Sequence, residues 1–404
     1  MLLQRARFVL PSVARSSLWA GRIRAALLAS LTLATALMAP AASARVSAAS
    51  PQSAPPGRVV DAGDSKPWPD AATLADTRRV AEARPLFAAS ESLVFSLVAD
   101  FRTVQRDRNP EGSTTYPATI LVTQRDGTEV SIPLRIRTRG HSRLKPDFCT
   151  FAPLRLEFDS NPIGTVFEGQ KTLKLGTHCR DQGEYPEYVT REYPVYRMFN
   201  LLTPRSFRAR LAEAHYVDAK SRKTIATRSA LFLEDDDDVA KRQNGRISDS
   251  TGVRFRQIDA PTTTLMTLFE YLIGNTDVSI RSLHNIRVVL TPRGRFPVPY
   301  DFDFSGVVNA HYAGPNPLLQ ALIPSVRDRL YLGPCRTTDE LEVAFARFRS
   351  VRSELMAVYD SVPALKPRYV VEAKKYLEQF YRTIERPESV KKAFIDGCET
   401  RPYY

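Results

Sequence analysis

The sequence lacks the motifs that mark most nucleic-acid-binding and zinc-binding proteins. Its 404 residues include only four cysteines and five histidines, and no two cysteines stand at metal-ligand spacing, which argues against a zinc site. No aromatic-rich RNA-binding motif, zinc-finger spacing, lysine-rich arm or Walker phosphate loop occurs, and no internal repeat is visible. These absences argue against a protein that reads nucleic acid.

The chain is nevertheless basic, with a formal net charge of +13. Five arginines lie within the first 24 residues, where no acidic residue occurs, and removing their charges lowers the net charge from +13 to +8. The remaining excess is spread widely. It is typical of a generally basic exported protein, and it also suits an anionic ligand or surface better than nucleic acid.

The N-terminus has the three parts of a secretory signal peptide. The basic lead is followed by an apolar run over residues 25–38 and by the small residues Ala42-Ser43-Ala44, so residues 1–44 are expected to be a signal peptide. The run is short for a membrane span and, if retained, would act as an N-terminal anchor. We therefore expect a periplasmic or secreted protein with no stable transmembrane segment once the signal is cleaved. Residues 45–88, rich in Ala, Ser, Pro and Asp, are expected to be a disordered linker.

All four cysteines lie beyond the expected signal peptide. They are Cys149, Cys179, Cys335 and Cys398. An even number in an exported chain favours disulfides, for which three connectivities exist. Proximity in sequence favours Cys149–Cys179 and Cys335–Cys398.

The remaining chain divides into a sheet-rich part and a helix-rich part. Strand-like alternation occurs over residues 92–98, 119–123, 132–137, 153–158, 170–175, 211–217 and 229–233. Helix-like apolar spacing occurs over residues 188–202, 262–273, 338–359, 366–384 and 387–395. An antiparallel sheet-rich N-lobe at about 89–238, followed by a helical C-lobe at about 239–400, is the outline of an α+β, protein kinase-like two-lobed fold.

The segment between the two parts predicts a metal corner. Residues 285–290 and 296–300 are strand-like and are joined by a turn, so a hairpin would return Asp301 and Asp303 close to Asn285. Carboxylate and amide oxygens gathered there suit Mg²⁺, and Asp277, one loop away, is free to serve as a base. The alternative is a set of ordinary turn residues facing water.

Basic side chains that could hold phosphate come earlier. The turn Arg137-Thr-Arg139-Gly140-His-Ser142-Arg143 offers arginines, a glycine and a hydroxyl, although it also fits a plain basic turn. Lys171 and Lys174 lie on one predicted strand, where a lysine can contact nucleotide phosphates or face solvent.

Acidic residues follow the last strand of the sheet-rich part. Glu234 ends the strand over 229–233 and is expected to pair with a lysine across a cleft. The four aspartates behind it are expected to form a solvated acidic loop, with a second metal site as the alternative.

The order of these motifs resembles the CotH-type (spore coat protein H-like) atypical kinases over roughly residues 90–315. The matching motifs, in order, are Arg137-x-Arg139-Gly140-x-Ser142, a lysine-bearing strand, an arginine-containing helix, a strand ending in Glu234, Gly274-Asn275-x-Asp277, Asn285 and Tyr300-Asp-Phe-Asp303. The resemblance implies a monomeric exported kinase that uses ATP and Mg²⁺ to phosphorylate Ser or Thr hydroxyls of a protein substrate.

The resemblance also implies a division of labour among these residues. Asp277 would orient the acceptor hydroxyl, and Asn285 with Asp301, or Asp303, would hold Mg²⁺. The nucleotide-binding residues implied by the motifs are Lys171, Lys174, Glu234 and Arg139. The alternatives are an exported pseudokinase acting as an envelope-binding or assembly scaffold, and a metal-dependent phosphohydrolase that uses the same acids.

Overall fold

The computed structural model describes residues 66–124, 126–250 and 252–398. The expected signal peptide and the first part of the expected linker, residues 45–65, lie outside these ranges. The strands within them are β1 (Leu93–Ala99), β2 (Tyr116–Thr123), β3 (Glu129–Thr138), β4 (Leu154–Glu157), β5 (Thr172–Gly176), β6 (Ala209–Asp218), β7 (Thr224–Leu233), β8 (Arg246–Ile247), β9 (Ile286–Thr291) and β10 (Gly294–Pro299). The α-helices within them are α1 (Ala71–Glu82), α2 (Phe101–Val104), α3 (Tyr185–Leu202), α4 (Asp236–Lys241), α5 (Ala260–Ile273), α6 (Thr338–Ser350), α7 (Arg352–Asp360), α8 (Pro367–Ile384) and α9 (Pro387–Val390).

Seven strands form a closed barrel in the order β1-β2-β3-β4-β5-β7-β6, which returns to β1. The alternating residues Ala118, Ile120 and Val122 of β2 are buried because successive strand side chains point to opposite faces. The barrel interior is filled by large side chains such as Phe95 and Phe232, whose ring centroids lie 5.0 Å apart. The expected strands and the hairpin turn at Gly127 are therefore present.

The closed barrel shows that the expectation of a protein kinase-like two-lobed fold was wrong. That expectation placed an antiparallel sheet-rich lobe in the N-terminal part, and a typical kinase N-lobe has an open sheet. Instead, β1 pairs antiparallel with β2 and parallel with β6, in a register that joins Leu93 to Ala212 and Ala99 to Asp218. Closure leaves the sheet no free edge. Alternation identifies each strand but not its partner, so the pairing of two segments so far apart in the chain was not visible in the sequence.

A second sheet and the remaining helices form the C-terminal region. Its strand order is β10-β9-β8, and β9 and β10 make the expected hairpin. Helix α5 begins after Asp259, whose side chain caps the amide of Thr262, and ends at Gly274 in the left-handed region, with φ of 68°. A Cβ at Gly274 would lie 1.9 Å from the Tyr376 hydroxyl of α8. Glycine is therefore needed at this turn for its backbone angle and for the close approach of Tyr376.

Three segments differ from the expected elements. Residues 71–82 form α1 and residues 85–87 form a short 3₁₀ helix, although 45–88 was expected to be linker. The helix expected over 338–359 is divided into α6 and α7 at Val351, whose φ and ψ of −120° and 16° are not helical. The last helical segment continues beyond α9 as a π-helical turn over residues 391–395.

Both expected disulfides are present. Cys149 is joined to Cys179 and Cys335 to Cys398, with Cα separations of 4.7 and 4.9 Å. The pairing by proximity in sequence is therefore confirmed. Across residues 66–398, apart from the two undescribed positions 125 and 251, no helix has the length and apolar character needed to cross a membrane.

Candidate active site

Asn285 and Asp301 lie at the same end of the β9–β10 hairpin. The backbone carbonyl of Asn285 accepts a hydrogen bond of 3.0 Å from the Tyr300 amide, which ties together the residues just before β9 and just after β10. The backbones of Asn285 and Asp301 are in the left-handed region, with φ of 55° and 65° respectively. Asn and Asp adopt this conformation more readily than most residues, and such conformations cluster at functional sites.

The loop after α5 places Asp277 beside Asn285. One carboxylate oxygen of Asp277 accepts from the Asn285 side-chain amide at 3.0 Å, and the other accepts from His284 Nε2 at 2.9 Å. The Asn285 amide also donates to the Asp277 backbone carbonyl at 2.8 Å. The hydrogen bond that His284 donates to Asp277 raises the pKa of His284, and the negative charge of Asp301 adds to the effect. The structure therefore brings Asp277, Asn285 and Asp301 into one site.

A buried carboxyl group near the end of α5 holds this loop. The Asp277 amide donates to the Asn275 side-chain oxygen at 3.0 Å, and the Asn275 side-chain nitrogen donates to Glu270 at 2.9 Å. Burial raises the pKa of Glu270 to about 8. Glu270 is neutral near pH 7 on this basis, and it orders the loop without adding a charge to the site.

Helix α3 holds the backbone of Asp301. The amide of Asp301 donates to the Tyr196 hydroxyl oxygen at 2.9 Å, and the Phe302 amide donates to Glu192 at 3.2 Å. The Tyr196 hydroxyl in turn donates to Glu192 at 3.2 Å. Burial raises the pKa of Glu192, and the negative charges of Asp303 and Asp301 raise it further. Helix α3 thus holds the turn at Asp301 in place through these hydrogen bonds.

The two carboxylates expected to compete for the metal have different environments. Asp303 is buried, with 5% of its side chain exposed, and it contacts Arg143 at 2.5 Å and the Tyr312 hydroxyl at 2.8 Å. Asp301 has 40% of its side chain exposed and lies 3.6 Å from Arg143. Asp301 is therefore the more accessible metal-ligand candidate, and Asp303 serves chiefly to hold Arg143.

The donor set fits Mg²⁺ with few protein ligands. The amide nitrogen of Asn285 is used by Asp277, which leaves its side-chain oxygen as the donor atom, and Asp301 offers an exposed carboxylate. In the described ranges, no three or more His, Cys, Asp and Glu side chains are grouped to hold a metal ion. Mg²⁺ is commonly bound by one or two protein oxygens, with water and substrate phosphate completing its shell.

Of the two candidate lysines, only Lys174 reaches this region. Lys171 is exposed and lies just before β5, whereas Lys174 is buried within β5 and pairs with Asp236. The Lys174 ammonium lies 4.9 Å from the centre of the Tyr300 ring, next to Asp301. Burial lowers the pKa of Lys174 to about 8, and Asp236 partly offsets this effect. Asp236 also accepts from Arg287 at 2.8 Å.

Glu234 does not make the expected contact with a lysine. It is 1% exposed and accepts from Arg242 at 2.7 and 2.8 Å and from the Arg208 amide at 2.9 Å. The aspartates that follow were expected to form a solvated loop. Instead, Asp235 caps the first turn of α4, and Asp236 through Asp238 belong to that helix. The acid that pairs with the lysine is therefore Asp236, in the first turn of α4, although the end of β7 at Leu233 lies beside Lys174 in the sheet.

The expected phosphate-binding turn is divided among different partners. Arg137 pairs with Glu157 at 3.3 Å, and Arg143 is buried against Asp303. Arg139 is half-buried, and its positive charge lowers the pKa of Lys174, which places it in the electrostatic neighbourhood of that lysine. Of the arginines in this turn, Arg139 is the one positioned to meet a ligand at the Lys174 side of the site.

The sequence analysis missed several side chains that shape the site. Asp236, Glu192, Glu270 and His284 were not assigned roles. Glu192 and Glu270 had a usable signal, because each interrupts the apolar face of a helix, and buried carboxyl groups need specific partners. The partner of His284, Asp277, lies only seven positions earlier in the same loop, so proximity in sequence was its signal. Asp236 had no comparable signal, since its partners come from distant segments.

Comparison with known proteins adds no family assignment. No protein-family model matches the chain, and no curated protein matches its sequence.

Proposed function

We propose that this protein is an exported, Mg²⁺-dependent phosphotransferase that transfers the γ-phosphoryl group of ATP to Ser or Thr hydroxyls of a protein. The observation that carries the proposal is the convergence of Asp277, Asn285 and Asp301 at one end of a hairpin, beside the buried Lys174. The two disulfides support export, because such bonds persist in oxidising compartments. The proposal rests on the site and does not need a kinase fold.

Each residue has a defined part in the proposed reaction. Asp277 accepts the proton of the acceptor hydroxyl as the oxygen–phosphorus bond forms and the bond from the γ-phosphorus to the bridging oxygen breaks, releasing ADP. Its oxygens already accept hydrogen bonds, but a carboxylate oxygen has two acceptor positions. Asn285 and Asp301 would hold Mg²⁺, which when bound neutralises charge on the phosphates. Lys174 and Arg139 would contact the phosphates of ATP.

A catalytically inactive scaffold is the second candidate. The hydrogen bonds that occupy both Asp277 oxygens and the ion pair between Lys174 and Asp236 favour it. In a kinase these contacts must yield partly to substrate. In a scaffold they can remain as they are.

Phosphoryl transfer from radiolabelled ATP tests the proposal. The purified protein with Mg²⁺ should label itself or an added protein, and Asp277→Asn and Asp301→Ala should each lower the rate about 100-fold or more. Asp360→Asn, at an exposed aspartate of α7 that pairs with Lys374, is the matched control and should retain the rate. Free phosphate without labelled protein would identify a phosphohydrolase. If the folded protein yields neither labelled protein nor ADP, the result favours the scaffold.

A further inference from the structure

Two neighbouring cavities on one face of the molecule form a groove rich in arginine. They have volumes of about 350 and 450 Å³, and Pro204 and Arg242 line both. Arg205 and Arg293 line the first cavity, and Arg197 and Arg208 line the second. We call this pair of cavities the arginine groove. Its combined volume suits a small charged ligand.

Few carboxylates balance these arginines. Arg242 is paired with the buried Glu234, and Glu82 pairs with Arg78 at the rim of the first cavity. Apart from Arg78, four arginines line one cavity each, and among the described residues no carboxylate oxygen lies within ion-pair distance of them. The groove therefore carries an uncompensated positive charge.

The pKa values of two of these arginines reflect this imbalance. Burial lowers the pKa of Arg205; the charge of Asp259 opposes this effect, and the smaller influence of Arg293 adds to it. Burial also lowers the pKa of Arg208, and the positive charge of Arg242 adds to this effect against Glu234 and Glu82. A partly buried guanidinium that no carboxylate pairs directly is stabilised when it binds an anion.

The guanidinium groups are held in place by the protein. Arg205 lies 3.4 Å from the centre of the Phe296 ring and donates to Gln243 at 3.2 Å. Arg197 donates to the Tyr193 hydroxyl at 2.8 Å, and Arg208 donates to the Glu82 carbonyl at 3.0 Å. These contacts use only some of the five donors of each guanidinium. The remaining donors are pre-organised for an oxyanion, which guanidinium groups bind in a bidentate manner.

The arginine groove is separate from the candidate active site. Arg293 lies in the turn between β9 and β10, whereas Asn285 and Asp301 lie at the opposite end of the same six-residue strands. Strands of this length span about 20 Å. A ligand in the first cavity would therefore not occupy the active site.

We propose that the arginine groove binds a compact phosphate-bearing anion with at least two negative charges. Phosphate oxygens match the fork of the guanidinium, and a multivalent anion would offset charge in both cavities. A free oligophosphate and the phosphate head group of a lipid share this chemistry. The proposal does not depend on phosphotransferase activity.

Isothermal titration with pyrophosphate tests the proposal, and vesicles containing phosphatidic acid form a second arm. In either arm, Arg205→Gln and Arg293→Gln should each weaken binding about tenfold. This is the size expected for the loss of one charge-assisted contact. Arg368→Gln, at an arginine of α8 whose side chain is 91% exposed, is the matched control. Asp301→Ala alters only the candidate active site. Anion binding should therefore survive Asp301→Ala as well as Arg368→Gln.

Three results would overturn the proposal. The first is the absence of binding both to millimolar pyrophosphate and to the vesicles that contain phosphatidic acid. The second is binding that Arg205→Gln and Arg293→Gln leave unchanged. The third is binding that Asp301→Ala abolishes. If Arg205→Gln fails to fold, Arg293→Gln alone decides the question, because Arg293 is an exposed turn residue.

Discussion

Glu270 should make the stability of this protein depend strongly on pH, and Glu270→Gln should remove that dependence. The side chain is 3% exposed, and burial raises its pKa from 4.5 to about 8. Between these two pKa values the folded protein keeps a proton that the unfolded chain has lost. The contribution of Glu270 to stability is therefore greatest below about pH 4.5 and falls as pH rises towards 8.

The size of this effect follows from the pKa difference. With a pKa of 4.5 in the unfolded chain and about 8 in the folded protein, ionising Glu270 costs up to about 5 kcal/mol of stability by pH 9. Gln at position 270 has nearly the same shape and does not titrate. Its side-chain oxygen can still accept the hydrogen bond that Asn275 gives to Glu270 at 2.9 Å. We expect Glu270→Gln to resemble the wild type at pH 5 and to be more stable than it at pH 9.

Urea unfolding of both proteins at pH 5, 7 and 9, with the disulfides intact, measures this difference. Other titrating groups act on both proteins, so the difference in unfolding free energy isolates position 270. Glu372→Gln, at a glutamate of α8 with 54% of its side chain exposed, should follow the wild type at every pH. Equal slopes for the wild type and Glu270→Gln would refute the argument, since they would mean that Glu270 is ionised in the folded protein near its ordinary pKa.

Three further predictions concern other parts of the molecule. If Lys174 contacts the phosphates of ATP, the KM for ATP should rise as pH increases through about 8, because Lys174 loses its positive charge near this lowered pKa. Lys174→Met should raise the KM at every pH. A pH-independent KM in the wild type would contradict the role of Lys174. Glu234→Ala should lower the unfolding free energy by about 3–5 kcal/mol in a urea titration, because it leaves the buried Arg242 without its partner; a loss below about 1 kcal/mol would contradict this account. Replacing Cys335 and Cys398 together by Ser should cost about 4 kcal/mol, the value expected for a disulfide that spans 63 residues, and an unchanged melting temperature would count against it.

Local pattern was sufficient for most individual elements. Period-two alternation predicted strands such as β2, and apolar spacing predicted α5, because burial of one face depends on neighbouring residues alone. The β9–β10 hairpin and the grouping of Asp277 with Asn285 were likewise predictable, since short connections keep such segments adjacent. Proximity in sequence was also enough for the Cys149–Cys179 pair.

Tertiary structure alone decided the closure of the barrel and the partners of the charged residues. The sequence by itself determined that residues 93–99 form a strand, but their parallel pairing with β6 depends on a long-range contact. The sequence led us to expect that Glu234 pairs with a lysine, yet the first turn of α4 places Asp236 against Lys174. A buried charge requires a partner within a few ångströms. Which partner pairs with a given buried charge depends on how distant segments pack together. Local sequence does not encode the distance between two such side chains.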